Sequence, residues 1–184
     1  MNFIKTEISD VYIIEPSVFG DNRGYFLESF NLEKFEENVF PIGFVQDNES
    51  KSSKGVLRGL HFQKPPFNQA KLVRCIEGSV MDVAVDIRKG SPTFGKHISV
   101  ELSGKNKRQL FIPRGFAHGF CVLSESAVFA YKVDNAYAPE YDSGIKYDDI
   151  DLNINWGLTD NEIQLSFKDK TLPSFKDLKS PFNF

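Results

Sequence analysis

The chain is short of the residues that staple, anchor or metallate a protein. Its two cysteines in 184 residues, Cys75 and Cys121, lie inside apolar runs (L-V-R-C-I and G-F-C-V-L) with no C-x-x-C spacing. That excludes a disulfide framework and fits buried free thiols in a reducing compartment. No apolar run approaches the ~18 residues of a membrane span, and the N-terminus lacks the apolar stretch of a signal peptide. A cytoplasmic protein with no membrane partner is expected. Excess positive charge is missing too: 22 Lys and Arg face 25 Asp and Glu, for a net charge of -3. Nothing draws such a chain to nucleic acid, so an anionic ligand has to be met by a local cluster of cations. Only three histidines are present, and no cysteine supplements them as ligands. They make a poor metal set, and no metal is expected.

What the chain has instead is phenylalanine, 18 residues against a single Trp and two Met. Rigid aromatic side chains in that number favour sheets. The length suits one domain spanning residues 1–184 with a substantial core. Ser79 to Ile87 alternates, with Met81, Val83, Val85 and Ile87 on one face and Val80, Asp82, Ala84 and Asp86 on a more polar one. Ile98, Val100 and Leu102 alternate in the same way, and β-like runs cover Val11 to Ile14, Tyr25 to Phe30, Lys71 to Ile76, Gln109 to Ile112, His118 to Leu123 and Ala127 to Val133. The first two of these runs, joined through Phe19 to Gly24, read as a hairpin or a strand with a bulged loop, and Glu49 to Lys54 as a polar loop. Asn31 is placed to cap a short helix with Leu32, Phe35 and Val39 on one face, and Thr159 to Glu162 fits a capping box. Many short strands punctuated by Gly and Pro, with few short helices, predict an all-β sandwich of the jelly-roll type, a double-stranded β-helix with room for a pocket between its sheets.

The stretch Gly55 to Gln63, G-V-L-R-G-L-H-F-Q, breaks the alternation by setting Arg58 and His61 among apolar residues. A strand that is neither half-buried nor wholly core marks a place where function competes with packing. His118, in P-R-G-F-A-H, shares the P-x-G-x-x-H form of a cupin metal motif, but the second His of such a site is absent from H-F-Q. An imidazole is the side chain suited to take a proton near neutral pH, and it needs a carboxylate or carbonyl to fix its tautomer. Asp82, Asp86 and Asp169 are all candidates for that task, the first two open to a solvated role and Asp169 set in a charged, turn-like segment. Arg23, Arg58, Lys71 and Arg74 are cations within or beside apolar runs, suited to phosphate or to a developing oxyanion. Tyr131 shares a face with Phe129 and Val133, and its hydroxyl needs a partner or a task if that face is interior.

Taken together, F-G-D-N-R-G-Y-F-L-E-S-F, F-V-Q-D-N, G-V-L-R-G-L-H-F-Q, K-L-V-R-C, V-A-V-D-I-R, S-P-T-F-G, F-I-P-R-G-F-A-H-G-F, Y-K-V and A-P-E resemble the dTDP-4-dehydrorhamnose 3,5-epimerases over nearly the whole chain. The resemblance implies a cupin-like jelly roll that forms a homodimer and works without cofactor or metal. It implies inversion at C3 and C5 of a dTDP-4-keto-6-deoxy sugar to give dTDP-4-dehydro-L-rhamnose, for rhamnose and polysaccharide biosynthesis. It makes His61 the base, Tyr131 the acid, Asp169 the partner of His61, and Lys71 the cation near the ketone oxygen. Arg23, Glu28, Gln46, Asn48, Arg58, His118, Asp142 and Lys168 fall on positions used around the nucleotide sugar. Ala136 replaces the first of two aromatics common before the nucleotide-binding acid, for which Asp142 stands. A single-carbon epimerase of a related sugar and a non-catalytic jelly-roll sugar-binding protein are the alternatives.

Overall fold

The alternating stretches become thirteen strands in the computed structural model, which describes residues 1–184. They are β1 (Asn2–Lys5), β2 (Tyr12–Glu15), β3 (Val18–Asp21), β4 (Gly24–Leu27), β5 (Gln46–Ser53), β6 (Leu57–Gln63) and β7 (Lys71–Glu77). There follow β8 (Ser79–Asp86), β9 (His97–Ser103), β10 (Gln109–Ile112), β11 (Phe116–Val122), β12 (Ser126–Val133) and β13 (Asp142–Gly144). The helices are α1 (Leu32–Asn38) and α2 (Phe167–Lys170), with single 3-10 turns elsewhere. Two antiparallel sheets, ordered β1-β2-β10-β7-β12-β5 and β13-β6-β11-β8-β9, face each other as a sandwich. This is the expected jelly-roll architecture.

Burial explains which faces meet. Val73 and Cys75 of β7, Leu110 and Ile112 of β10, and Phe129 of β12 point inward from the large sheet, to pack on Val80 and Ala84 of β8 and Phe116, Phe120 and Val122 of β11. The small sheet is covered on its back as well, because Leu57, Phe62, Val83, Val85 and Cys121 pack under the C-terminal segment through Trp156 and Phe182. The large sheet carries α1 on its outer face, where Phe35 docks on Ile14, Leu72 and Phe111. Asn31 caps that helix, its side chain accepting from the Lys34 amide at 3.1 Å.

Three expectations are corrected. Glu49 to Lys54 is not a loop but belongs mostly to β5, an edge strand whose polar residues still alternate between half-buried and exposed. Its inward side faces a cavity rather than a core, so hydrophobicity does not reveal it. The run Val11 to Ile14 lies in β2 and pairs with β1 and β10, whereas the hairpin is made by β3 and β4. Asp82 and Asp86 do not meet solvent: both are fully buried, because the small sheet has packing on both sides. Asp86 is held by Arg88, Ser91 and Thr93.

The poor alternation of β6 has a backbone cause. His118 pairs with His61 and Phe120 with Arg58, so β6 spends three residues where β11 spends two. The bulge turns Arg58 and His61 toward one cavity despite their odd spacing. Gly59 lies at φ +145 with its Cα against Gly119, and a Cβ added to Gly119 would come within 2.8 Å of the Arg58 carbonyl oxygen and 2.9 Å of the Gly59 Cα. Gly119→Ala should therefore push β6 off β11 and destabilise the protein by about 1–3 kcal/mol. A calorimetric melting temperature lower by roughly 2–4 °C per kcal/mol is the expected reading, and an unchanged value would contradict the contact.

Candidate active site

Where the two sheets diverge beyond Phe120 and Phe129, polar residues replace the core and line a cavity of about 580 Å³. It joins, through Asn48, His61, Lys71 and Tyr131, a second lobe of about 400 Å³ reaching Gln46, Tyr137, Asp142 and Lys168. Five strands contribute: β5 gives Asn48 and Ser50, β6 Arg58 and His61, β7 Lys71, β11 His118, and β12 Tyr131.

His61 and His118 stand directly opposite each other across the β6–β11 ladder, and each is held by a carboxylate from another element. His61 Nε2 lies 2.5 Å from Asp169 Oδ1, although the two residues are 108 positions apart. Asp169 is 4% exposed, so the turn-like segment is no surface feature. Burial alone would raise its carboxyl, but hydrogen bonds from His61 and Ser166 outweigh that and hold it below the ordinary carboxylate value. An ionised Asp169 only accepts, so Nε2 carries the proton and Nδ1 presents its lone pair. Nδ1 has no partner within the protein and is not among the wholly buried atoms.

His118 Nε2 is bonded to Asp82 Oδ2 at 2.9 Å, and its ring stacks near Phe129. Of the three carboxylates open to the orienting role, Asp169 therefore serves His61, Asp82 serves His118, and Asp86 serves neither. Burial lowers the His118 pKa against the opposing pull of Asp82, which favours the neutral ring. The third imidazole, His97, lies on β9 and lines neither lobe.

Lys71 and Tyr131 sit on adjacent strands, with the ammonium 5.9 Å from the ring centroid. Burial drives the Lys71 pKa down to about 8, against the pull of Asp142 and Asp82. Burial also raises the Tyr131 pKa, with Arg58 acting the other way, so the phenol stays protonated at neutral pH. An imidazole, a cation and a neutral phenol thus face one space. No three His, Cys, Asp or Glu side chains gather in a metal-holding group.

The chain matches the family described as dTDP-4-dehydrorhamnose 3,5-epimerase over residues 5–177. A curated relative of that description from Escherichia coli K12 is 56% identical over 179 residues, covering 97% of this chain and 96% of the relative. The chain belongs to the dTDP-4-dehydrorhamnose 3,5-epimerase family. Members of this isomerase family share its frame closely. A Legionella pneumophila epimerase crystallised with dTDP-4-keto-L-rhamnose superimposes with a TM-score of 0.94 at 50% identity, covering 100% of this chain and 98% of its own. A 3′-monoepimerase from Streptomyces bikiniensis in complex with dTDP-quinovose gives 0.84 at 31% identity, covering 93% and 86%.

Within this epimerase-family fold the expected residues separate into two groups. His61, Lys71, Tyr131, Asp169, Asn48, Arg58 and His118 line the main cavity, while Gln46, Asp142 and Lys168 line the adjoining lobe. Lys168 contacts Asp142, and the Tyr137 hydroxyl lies 3.4 Å from the same carboxylate. Arg23 and Glu28 are elsewhere. Arg23 is paired with Asp21 on the exposed β3–β4 hairpin, Glu28 with Lys34, and neither lines the cavity of its own chain. Arg74 is corrected too, since it faces the outer side of the large sheet with Leu72 and Ile76. Two supports escaped the sequence. Ser52 accepts from Arg58 at 3.2 Å, and Ser166 donates to Asp169 at 2.7 Å. The S-x-x-D form of Ser166 to Asp169, a cap signature before a short helix, was the available signal for the second.

Replacing Asp169 with Asn should weaken folding by about 1–3 kcal/mol at neutral pH, because a buried partner of His61 is lost. The contribution of a carboxyl with a depressed folded pKa is complete above its unfolded value, about pH 4. It disappears as pH falls through the lower folded value. Urea unfolding of the two proteins should therefore differ most above about pH 4 and converge below it.

Proposed function

We propose that this protein inverts C3 and C5 of dTDP-4-dehydro-6-deoxy-D-glucose, giving dTDP-4-dehydro-L-rhamnose, and that His61 and Tyr131 move the protons. The observation that carries the reading is the constellation around one cavity: an imidazole fixed by a buried carboxylate, a neutral phenol and a half-desolvated ammonium. A C–H beside a ketone is acidic only because its electrons can move onto the carbonyl oxygen as an enolate. His61 Nδ1 takes the proton, the C–H electrons pass to that oxygen, and Lys71 stabilises the charge. Tyr131 then gives a proton to carbon on the opposite face. A site that returned the proton to the face it left would invert nothing.

Around the reacting sugar, Gln46, Asn48, Arg58 and His118 hold hydroxyl and phosphate oxygens, while Asp142, Lys168 and Tyr137 attend the nucleotide. The Legionella relative, crystallised with dTDP-4-keto-L-rhamnose, supports this class of ligand. Residues 1–184 act as one jelly-roll domain, in the cytoplasm, as the buried free thiols suggest. Two copies pair as a homodimer. The β3–β4 hairpin supports this, with Phe19 66% and Phe26 70% exposed beside Arg23. On a second copy, Arg23 and Glu28 would regain the substrate contacts that they lack within their own chain.

Incubation with the 4-keto nucleotide sugar in deuterated water should place label at two carbons. Label at one carbon would make this a single-carbon epimerase like the Streptomyces bikiniensis relative, and no label would leave a binding protein. His61→Asn should abolish exchange while leaving nucleotide binding intact. With Lys71 protonated below its pKa of about 8, kcat/KM should fall as pH rises past that value. Lys71→Gln should have low activity at all pH values and no such limb.

A further inference from the structure

We propose that Ser166 is a positioning residue for this reaction, the third member of a chain that runs from Ser166 through Asp169 to His61. The inference rests on the reading of His61 as the base. Asp169 has two carboxylate oxygens and each has one partner: Oδ1 meets His61 Nε2 at 2.5 Å, and Oδ2 accepts from Ser166 Oγ at 2.7 Å. The Asp169 amide N–H in turn donates to Ser166 Oγ at 3.1 Å. With its oxygen taken by that amide, the hydroxyl has one proton to place, and it lies toward Oδ2. Both ends of the carboxylate are thereby pinned, and the group cannot swing away from the imidazole.

The same oxygen starts the short helix α2, of which Ser166 is the N-cap. In a capping box the acidic side chain three residues on would return to the N-cap backbone N–H. Here that side chain is turned to the Ser166 hydroxyl and to His61. The second His–Asp pair gives the contrast. Asp82 Oδ1 is buried with no hydrogen-bond donor in the protein, so the His118 pair has no third member. A hydroxyl behind the carboxylate is therefore peculiar to the imidazole that receives the substrate proton. Once that proton arrives, His61 is an imidazolium, and Asp169 has to remain an anion to stabilise it. A donor on Oδ2 favours the anion.

Three variants separate this role from simple helix capping. Ser166→Ala removes both cap and hydroxyl, Ser166→Gly keeps most of the cap but no hydroxyl, and Ser166→Thr keeps both. Solvent deuterium exchange into the 4-keto nucleotide sugar gives kcat and KM across pH. Ala and Gly should lower kcat roughly ten- to a hundredfold with KM little changed, and Thr should restore it to within a few fold. Loss of the donor makes the carboxylate more basic, so the acidic limb of kcat/KM should move to higher pH in both deficient variants. Activity within twofold of the unaltered protein, or full recovery by Gly with an unmoved limb, would overturn the proposal. Ring-nitrogen NMR of His61 without substrate decides it independently of turnover. The single tautomer with Nε2 hydrogen-bonded to Asp169 should give way to a mixture of tautomers in Ser166→Ala, and an unchanged spectrum refutes the role. Absence of exchange in the unaltered protein would instead sink the epimerase reading, and the ring-nitrogen spectra would still judge Ser166.

Discussion

The pairing of β6 with β11 is the contact on which the site depends. Two glycines, Gly59 and Gly119, let the backbones approach more closely than any side chain would allow. The bulge beside them brings Arg58 into line with His61. From that one ladder follow the opposed imidazoles, the floor of the cavity and the need for two separate carboxylates. The sheet behind it is packed on both faces, which fixes the strand in depth and leaves the side chains facing the cavity as its functional surface.

Charge in the site is arranged by depth. Asp82 and Asp169 are buried almost completely, the imidazoles lie between them and the cavity, and Arg58 is exposed at its edge. A low dielectric strengthens each of these interactions. It also explains why one environment shifts Lys71 down toward neutrality and Tyr131 further from it. An ammonium shifted in this way and a phenol that keeps its proton at neutral pH match what the proposed enolate reaction calls for.

Much of this was legible in the sequence, for reasons that differ by residue. The strands of the core were readable because Val80 to Ile87 and Ile98 to Leu102 alternate against an apolar interior. β5 was hidden because its inward residues, Asn48, Ser50 and Ser52, face a wet cavity and carry no hydrophobic signal. Asp82 was left open between an orienting and a solvated role, because a strand with two buried faces looks from its pattern like one with a polar face. His61, Lys71 and Tyr131 stood out as polar groups in apolar runs, and the family motifs gave them roles that spacing alone could not. Asp169 could be chosen over Asp82 and Asp86 only through the resemblance, since nothing local marks a carboxylate in S-F-K-D-K as buried. Arg23 and Glu28 show the opposite limit: within one chain Arg23 is paired with Asp21 on the exposed hairpin, and Glu28, just past it, is paired with Lys34.

The 108 positions between His61 and Asp169 also have a bearing on biosynthesis. A growing chain emerges from the ribosome with its strands β5 to β12 complete well before α2 is made. Through that interval the imidazole exists without its carboxylate, and the back of β6 lacks the cover of Trp156 and Phe182. The segment that carries α2, made later, therefore both covers the back of β6 and supplies the carboxylate. Until it docks, nothing fixes the tautomer of His61.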